Sequence, residues 1–194
     1  MPPAIRFSRE AVLNAAYQLV RREGPSALNA RAVAKELGGS TQPIFRLFSG
    51  MDELRCEVIS LADAECRKKM RERALRSSAP YLSVCMSHLL FARDEPQLFK
   101  LLFMRDRVSD GSCSLGYSHE WGFPVIEDTL GVDRETAIAM CERTFFYAHG
   151  LAVCIATKYM PCLEESKMEE MLAQNLSAAA AQLGVKLPDL PEHP

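Results

Sequence analysis

The sequence predicts an all-α protein in which an N-terminal three-helix helix-turn-helix domain is joined by a long helix to a second α-helical domain. Three observations support this fold class. Apolar residues recur at three- and four-residue spacing in most segments, which is the period of an amphipathic helix. No stretch alternates for long with the two-residue period of a strand. With 48% hydrophobic and 25% charged residues, the 194-residue chain has the composition of a globular protein that can bury a core.

The first predicted helix covers residues 9–23. Ser8 is a suitable N-cap, because its hydroxyl can accept a hydrogen bond from an unpaired backbone N–H. Phe7 and Val12 have the spacing of a hydrophobic staple. A Gly-Pro pair beginning at Gly24 ends the helix, since Gly tolerates a left-handed conformation and Pro cannot continue a helix.

The second and third predicted helices are short and follow closely. The second covers residues 30–37, with Asn29 as its N-cap, and the glycine pair that begins at Gly38 ends it. The third begins after Ser40, its expected cap, and has small polar residues at its front. Two helices joined by a glycine turn form the helix-turn-helix arrangement, whose second helix enters the DNA major groove. We expect Ile44, Phe45 and Phe48 to face the first two helices, and Thr41, Gln42 and Arg46 to project outward.

The rest of the chain continues as helices. A long helix starts near residue 51 and extends to about 75, with a basic second half that we interpret as a solvated face. Residues 108–118 are expected to form a loop. Further helices are predicted at residues 80–93, 96–105, 119–130, 134–160 and 164–183.

Two of these helices carry many small residues. Residues 134–160 contain seven Ala and Cys residues and one Gly, and residues 178–181 are four consecutive alanines. Such helices can pack closely against copies of themselves and thus form a dimer face. The alternative is an internal helix pair of a monomer.

The charge of the chain is unevenly distributed. The net charge is -2, but residues 1–76 hold 14 Lys and Arg against 9 Asp and Glu, a balance of +5. A basic front suggests contact with an anionic polymer, although chance asymmetry among solvated helices would look the same. The N-terminus lacks the apolar core of a signal peptide, and no apolar run reaches the length of about 20 residues that a spanning helix needs. We therefore expect a cytoplasmic protein with no membrane contact.

Nothing in the sequence indicates catalysis, a metal site or a cofactor. The seven cysteines are scattered, odd in number and never in a C-x-x-C pair, which argues against a disulfide framework and a zinc site. The histidines His88, His119 and His149 have no ligand spacing. No nucleophile elbow and no Gly-rich phosphate loop is present.

Residues 9–55 resemble the DNA-binding domain of the TetR family of bacterial transcriptional regulators. The matching pattern is Val12-Leu13-x-Ala15-Ala16-x-x-Leu19, Gly24, Arg31-x-Val33-Ala34-x-x-Leu37-Gly38, Ser40-x-x-x-Ile44-Phe45-Arg46-x-Phe48 and Asp52-Glu53-Leu54. The resemblance implies a homodimer that binds double-stranded DNA at a palindromic operator. It also implies a divergent C-terminal domain that binds a small-molecule effector.

The resemblance also implies which residues contact DNA. Phe45 and Met51 depart from the family pattern, which has tyrosine and lysine at these positions, and so lose a hydroxyl and a charge. The full set is Asn29, Arg31, Ser40, Thr41, Gln42, Phe45, Arg46 and Met51.

The domain organisation and function follow as expectations. Residues 1–50 would form the DNA-binding domain, residues 51–186 the effector-binding and dimerisation domain, and residues 187–194, with three prolines, a loose tail. We expect a ligand-responsive repressor, released from its operator by a small apolar molecule. The alternatives are a redox-sensing regulator that uses cysteines, and a helical enzyme or carrier. The expected effector-binding residues are Met86, Leu89, Phe99, Phe103, Trp121, Phe123 and Tyr147, a group that would equally suit a plain core.

Overall fold

The structure is a computed structural model that describes residues 7–106 and 122–187. Within these residues the chain forms nine α-helices and no strand, which confirms the predicted all-α class. A 3-10 turn, Pro25–Ala27, follows the first helix. None of the described helices is long and apolar enough to cross a membrane. The helices are α1 Arg9–Glu23, α2 Ala30–Glu36, α3 Gln42–Leu47, α4 Met51–Leu75, α5 Pro80–Asp94, α6 Pro96–Phe103, α7 Gly122–Leu130, α8 Arg134–Ala156 and α9 Glu165–Leu183.

Two of the three predicted N-caps are present. The Ser8 hydroxyl accepts from the Ala11 N–H at 3.1 Å, and the Asn29 side chain accepts from the Ala32 N–H at 3.0 Å. The expected Ser40 cap is wrong, because α3 is capped by Thr41, whose side chain makes no capping bond. A capping side chain accepts from the second or third residue of a helix. In α3 the second is a proline without an N–H, and the third already donates to the Thr41 carbonyl at 3.1 Å.

The helix predicted to reach residue 160 ends earlier. α8 stops at Ala156, and Lys158 adopts a left-handed conformation with φ 61°. The N–H groups of Tyr159 and Met160 both turn back to the Cys154 carbonyl, at 2.9 and 3.1 Å. A left-handed residue usually closes a helix as glycine. Because the left-handed residue here is a lysine and not a glycine, the sequence does not predict where α8 ends.

The chain divides into two compact units, and among the described residues the first contains 7–65 with 97–106. Its core is built from the inward faces of α1, α2, α3 and the first turns of α4. α6 adds an apolar face with Leu98 and Phe99 fully buried. The fully buried residues of the first four helices within this unit are Val12, Ala16, Val20, Val33, Ile44, Leu54, Val58 and Ala62.

The second unit contains the described residues 66–96 and 122–187. Here α5 packs against α7, α8 and α9. The Tyr81 hydroxyl and the Thr144 hydroxyl share a hydrogen bond between α5 and α8. Burial raises the pKa of Tyr81 well above its ordinary value, so the phenol stays neutral.

Many small residues of α8 are used inside the second unit. Ala137, Ala148, Ala152 and Ala156 are at most 2% exposed, so they line close contacts between helices of the same chain. Other residues of the same helix stay exposed, among them Phe146 at 61%. The small residues of α8 therefore serve packing within the second unit. The exposed residues of the same helix form a separate, solvent-facing strip.

Candidate nucleic-acid interface

The turn between α2 and α3 depends on two glycines, each for a different reason. Gly38 has φ 68°, and its N–H donates to the Lys35 carbonyl at 3.1 Å. The Gly39 N–H donates to the Ala34 carbonyl at 3.0 Å, which completes a Schellman motif. A Cβ added to Gly39 would lie 3.1 Å from the ring of Phe7, so this glycine makes room for an aromatic side chain. The turn thereby holds α3 in a set direction after α2.

The short helix α3 has one buried and one exposed face. Ile44 is 0% and Phe48 is 2% exposed, and these side chains belong to the core of the first unit. Gln42 and Arg46 are exposed, as expected from the sequence. The expectation that Phe45 packs inward is wrong, because its side chain is 55% exposed. Phe45 lies three residues after Gln42 and next to Arg46, so it belongs to the outward face.

The expected DNA-contacting residues are mostly accessible. Asn29, Arg31, Ser40, Gln42, Phe45 and Arg46 are exposed, and Thr41 and Met51 are half-buried. Among the described residues, neither Arg31 nor Arg46 forms an ion pair. Their charges are thus available to an external anion, at the start of α2 and near the end of α3.

Asn29 and Met51 have surroundings that the sequence did not indicate. The Asn29 side chain accepts from Ala32 and also donates to the Ala27 carbonyl at 3.1 Å, so most of its hydrogen-bonding capacity holds the start of α2. Met51 opens α4 beside Asp52 and Glu53 in the same turn. The exposed Asp52 carboxylate adds negative charge at a point where a phosphate contact was expected.

Arg9 connects α1 to the end of α3 and to the beginning of α4. Its guanidinium donates to the Leu47 carbonyl and to the carboxylates of Glu53 and Glu57, and it lies over the Phe48 ring, 4.1 Å from the centroid. Nothing in the sequence singles out Arg9, because an arginine in a first helical turn carries no distinctive pattern. Arg9 holds α3 in place without belonging to its exposed face.

Glu53 also fixes the corner between α3 and α4. Its carboxylate accepts from the Ser49 N–H at 2.6 Å. This backbone N–H, and then the Arg9 guanidinium, lower the pKa of Glu53 from 4.5 to about 2. Glu53 is therefore ionised throughout the neutral range, and its charge is matched by Arg9 rather than directed at solvent.

α1 is also linked to other helices near its end and in its middle. Near its end, Arg22 pairs with Glu36 of α2 at 2.5 Å. In its middle, the buried Tyr17 hydroxyl donates to the Glu65 carboxylate of α4. Together with the apolar core, these links hold α1 in place against α2 and α4.

The basic second half of α4 is partly engaged by acidic residues. Lys68 lies 4.0 Å from Glu72, and Lys69 lies 3.7 Å from the buried Glu95. Lys69 also lies over the Phe91 ring, 5.7 Å from the centroid. These contacts agree with the interpretation of a solvated face that is balanced within the second unit.

The expected effector-binding residues fall into different parts of the molecule. Met86, Leu89 and Phe123 are buried in the second unit, at 3%, 0% and 8% exposure, and Tyr147 is half-buried there. Phe99 and Phe103 belong to the first unit, where their rings lie 4.9 Å apart. Trp121 lies outside the described residues. Leu89 and Phe99 have no accessible surface, which is what a plain core would show.

Two histidines that are distant in sequence meet in the second unit. His88 Nε2 and His149 Nδ1 are 3.2 Å apart, and the Phe145 ring stacks on His149 with centroids 5.6 Å apart. Burial, and then the neighbouring His149, lower the pKa of His88 to about 3. The His88 ring is therefore neutral at pH 7, and it forms a hydrogen-bonded contact with His149 inside the second unit. No group of three or more His, Cys, Asp or Glu within the described residues could hold a metal ion.

The cysteines differ in their chemistry. Cys56 is disulfide-bonded, although the scattered cysteines of the sequence argued against a disulfide framework. Burial raises the pKa of Cys85 to about 12 and that of Cys141 to about 11. These two thiols are protonated at neutral pH and are poor nucleophiles.

The fold is similar to one known from a solved structure. A transcriptional regulator from Rhodococcus sp. Rha1 has a TM-score of 0.63 to this chain and is 15% identical, covering 94% of this chain and 100% of that one. At this identity the similarity establishes a shared fold. The sequence matches no protein-family model and no curated protein.

Proposed function

We propose that this protein is a ligand-responsive transcriptional regulator of the TetR type, a homodimeric repressor that acts on DNA in the cytoplasm. One observation carries the proposal. A glycine-turned helix pair presents Gln42, Phe45 and Arg46 on one exposed face, with Arg31 also exposed and without an ion pair among the described residues. The Rhodococcus regulator, which shares the fold, supports the same role.

The side chains on this face suit base recognition. Gln bonds bidentately to adenine, Arg bonds to guanine, and an exposed Phe can contact the methyl group of thymine. Two copies related by a twofold axis would place α3 of each in adjacent major grooves, with half-sites about one helical turn apart. The expected target is therefore a palindromic duplex.

The decisive experiment is selection of bound fragments from random DNA at moderate salt. An enriched palindrome is expected, and its half-site spacing gives the geometry of the dimer. Gln42→Ala and Arg46→Ala should each weaken binding by about 1–3 kcal/mol, or roughly 5- to 150-fold. Gln18→Ala, at an exposed position of α1, is the matched control. Absence of an enriched palindrome would contradict the proposal.

The proposed dimer uses the exposed strip of α8 and the neighbouring surface of α9. Phe146 and Gly150 are exposed on α8, and Ala178 and Ala181 are exposed on α9. A twofold contact of this kind is self-complementary and matches the symmetry of a palindrome. Phe146→Asp should produce monomers in light scattering, whereas the conservative Phe146→Leu should remain dimeric. A parent protein that is monomeric at micromolar concentration would refute this interface.

The proposed effector is a largely apolar small molecule bound in the second unit near Met86, Leu89, Phe123 and Tyr147. The support is compositional: these helices offer aromatic and sulfur-containing side chains and few charges. To release DNA, the effector must bind the non-binding conformer more tightly than the DNA-bound one. A thermal-shift screen followed by DNA release tests this assignment.

Redox sensing is a second candidate function, and Cys56 is the observation that favours it. Its disulfide bond would be lost in a reducing environment. If DNA binding changes when dithiothreitol is added, and Cys56→Ser removes that change, redox sensing is supported. If both forms bind equally, ligand sensing is favoured.

A further inference from the structure

The first unit contains a cavity of about 280 Å³, and none of the expected effector-binding residues that the structure describes lines it. One wall is Arg55 and Ile59, one turn apart on α4. The opposite wall is the end of α6 and the residues directly after it, with Lys100, Leu101 and Arg105. The corner that follows α1 supplies the third side.

That corner is built around a glycine. A Cβ on Gly24 would lie 2.7 Å from the Gln97 side-chain oxygen, so the Gln97 side chain, from the first turn of α6, lies over the glycine. The next residue, Pro25, forms part of the cavity rim. The cavity is thus lined by three segments of one compact unit.

The lining combines an apolar base with positive charge. Ile59 and Leu101 are 1% and 3% exposed and form the base. Arg55, Lys100 and Arg105 supply three cations, and none of the lining residues in the described part of the chain is acidic. Among the described residues, neither Arg55 nor Lys100 forms an ion pair. A cleft lined by charges of one sign concentrates ions of the opposite sign.

We infer that this cavity binds a small organic carboxylate. Its apolar body packs on Ile59 and Leu101, and its carboxylate pairs with Arg55 and Lys100. Arginine binds carboxylates through two parallel hydrogen bonds, which favours this group over a neutral polar one. The volume lies slightly below the range of about 300–1,000 Å³ for ligand pockets, so the ligand is one aromatic ring or a short acyl chain.

The test uses the full-length protein without DNA, so its outcome is independent of the proposed regulatory function. Sodium benzoate and sodium hexanoate are titrated by calorimetry, with benzyl alcohol, benzylamine and inorganic phosphate as comparison compounds. Saturable binding of both carboxylates, stronger than that of the other three, is the expected result. Equal binding of phosphate, or no saturable binding of either carboxylate, overturns the inference.

Substitutions locate the site. Arg55→Met and Lys100→Met keep an apolar stem and remove the charge, and each should weaken benzoate binding by about tenfold or more. Lys35→Met is the matched control, because Lys35 is exposed on α2 and forms no ion pair within the described residues. Unchanged affinity in both cavity variants overturns the assignment.

Methyl NMR gives a readout that survives if one variant is unstable. Benzoate should shift the methyl signals of Ile59 and Met104, both of which line the cavity, in the unaltered protein. The methyl signal of Met168, buried in the second unit, should stay in place. Shifts confined to Met168 would show binding elsewhere and contradict the inference.

Discussion

Ile44 and Phe45 are neighbours on α3 with opposite surroundings, and replacing each by alanine tests the orientation of the helix. Ile44 is 0% exposed, and truncating a fully buried isoleucine costs about 2–5 kcal/mol. For a chain of this size each kcal/mol lowers the melting temperature by about 2–4 °C, so a fall of about 4–20 °C is expected. Phe45 is 55% exposed, and its replacement should change stability by less than about 0.5 kcal/mol.

Thermal unfolding followed by circular dichroism measures both effects, and titration with selected DNA measures binding. Phe45→Ala should weaken DNA binding while leaving the melting temperature within about 2 °C of the parent. Ile44→Ala should lower the melting temperature, and it weakens binding only through partial unfolding of the first unit. If the two variants lose equal stability, α3 is rotated relative to the structure described above and the reasoning about its exposed face fails.

Three further outcomes follow from the structure. Because the pKa of Glu53 is about 2 in the folded chain against an ordinary 4.5, its contribution to stability is complete above pH 4.5 and is lost as pH falls towards 2. Glu53→Gln should therefore show a smaller loss of melting temperature across that range than the parent. At pH 8, iodoacetamide should label the exposed Cys162 well before the buried Cys85, whose pKa is raised to about 12, and peptide mass spectrometry shows the order. Gly24→Ala should cost about 1–3 kcal/mol in urea unfolding from backbone strain at φ 94°, because the nearby Gln97 side-chain amide can move aside and the strain cannot. An unchanged free energy of unfolding would contradict the left-handed conformation at this position.

The sequence predicted the helices well because their signals are local. Ser8 and Asn29 cap their helices as expected, since a capping bond joins residues only three positions apart. The expected Ser40 cap was wrong because Pro43, in the first turn of α3, has no backbone N–H for a capping side chain to bind. The end of α8 was missed because its left-handed residue is a lysine, where the rule expects glycine.

The face of α3 was only partly predictable. Periodicity places Ile44 and Phe48 inward, but Phe45 is hydrophobic and adjacent, so composition alone assigned it to the core as well. Contacts between residues far apart in sequence could not be predicted from local patterns. The three-way contact of Arg9 with Leu47, Glu53 and Glu57 has no local pattern, and neither has the meeting of His88 with His149.

The first turns of α4 carry two residue pairs with different contacts on opposite sides of the helix. Glu53 and Glu57 form one pair, four residues apart, and Arg55 and Ile59 form another. At about 100° per residue, the two pairs are offset by about 200° around the helix axis. One pair is bonded to Arg9, which also holds the last carbonyl of α3, and the other pair is a wall of the cavity. An occupant of the cavity that displaced α4 would therefore act on α3 through two links within one compact unit, the Arg9 guanidinium and the Ser49–Glu53 hydrogen bond.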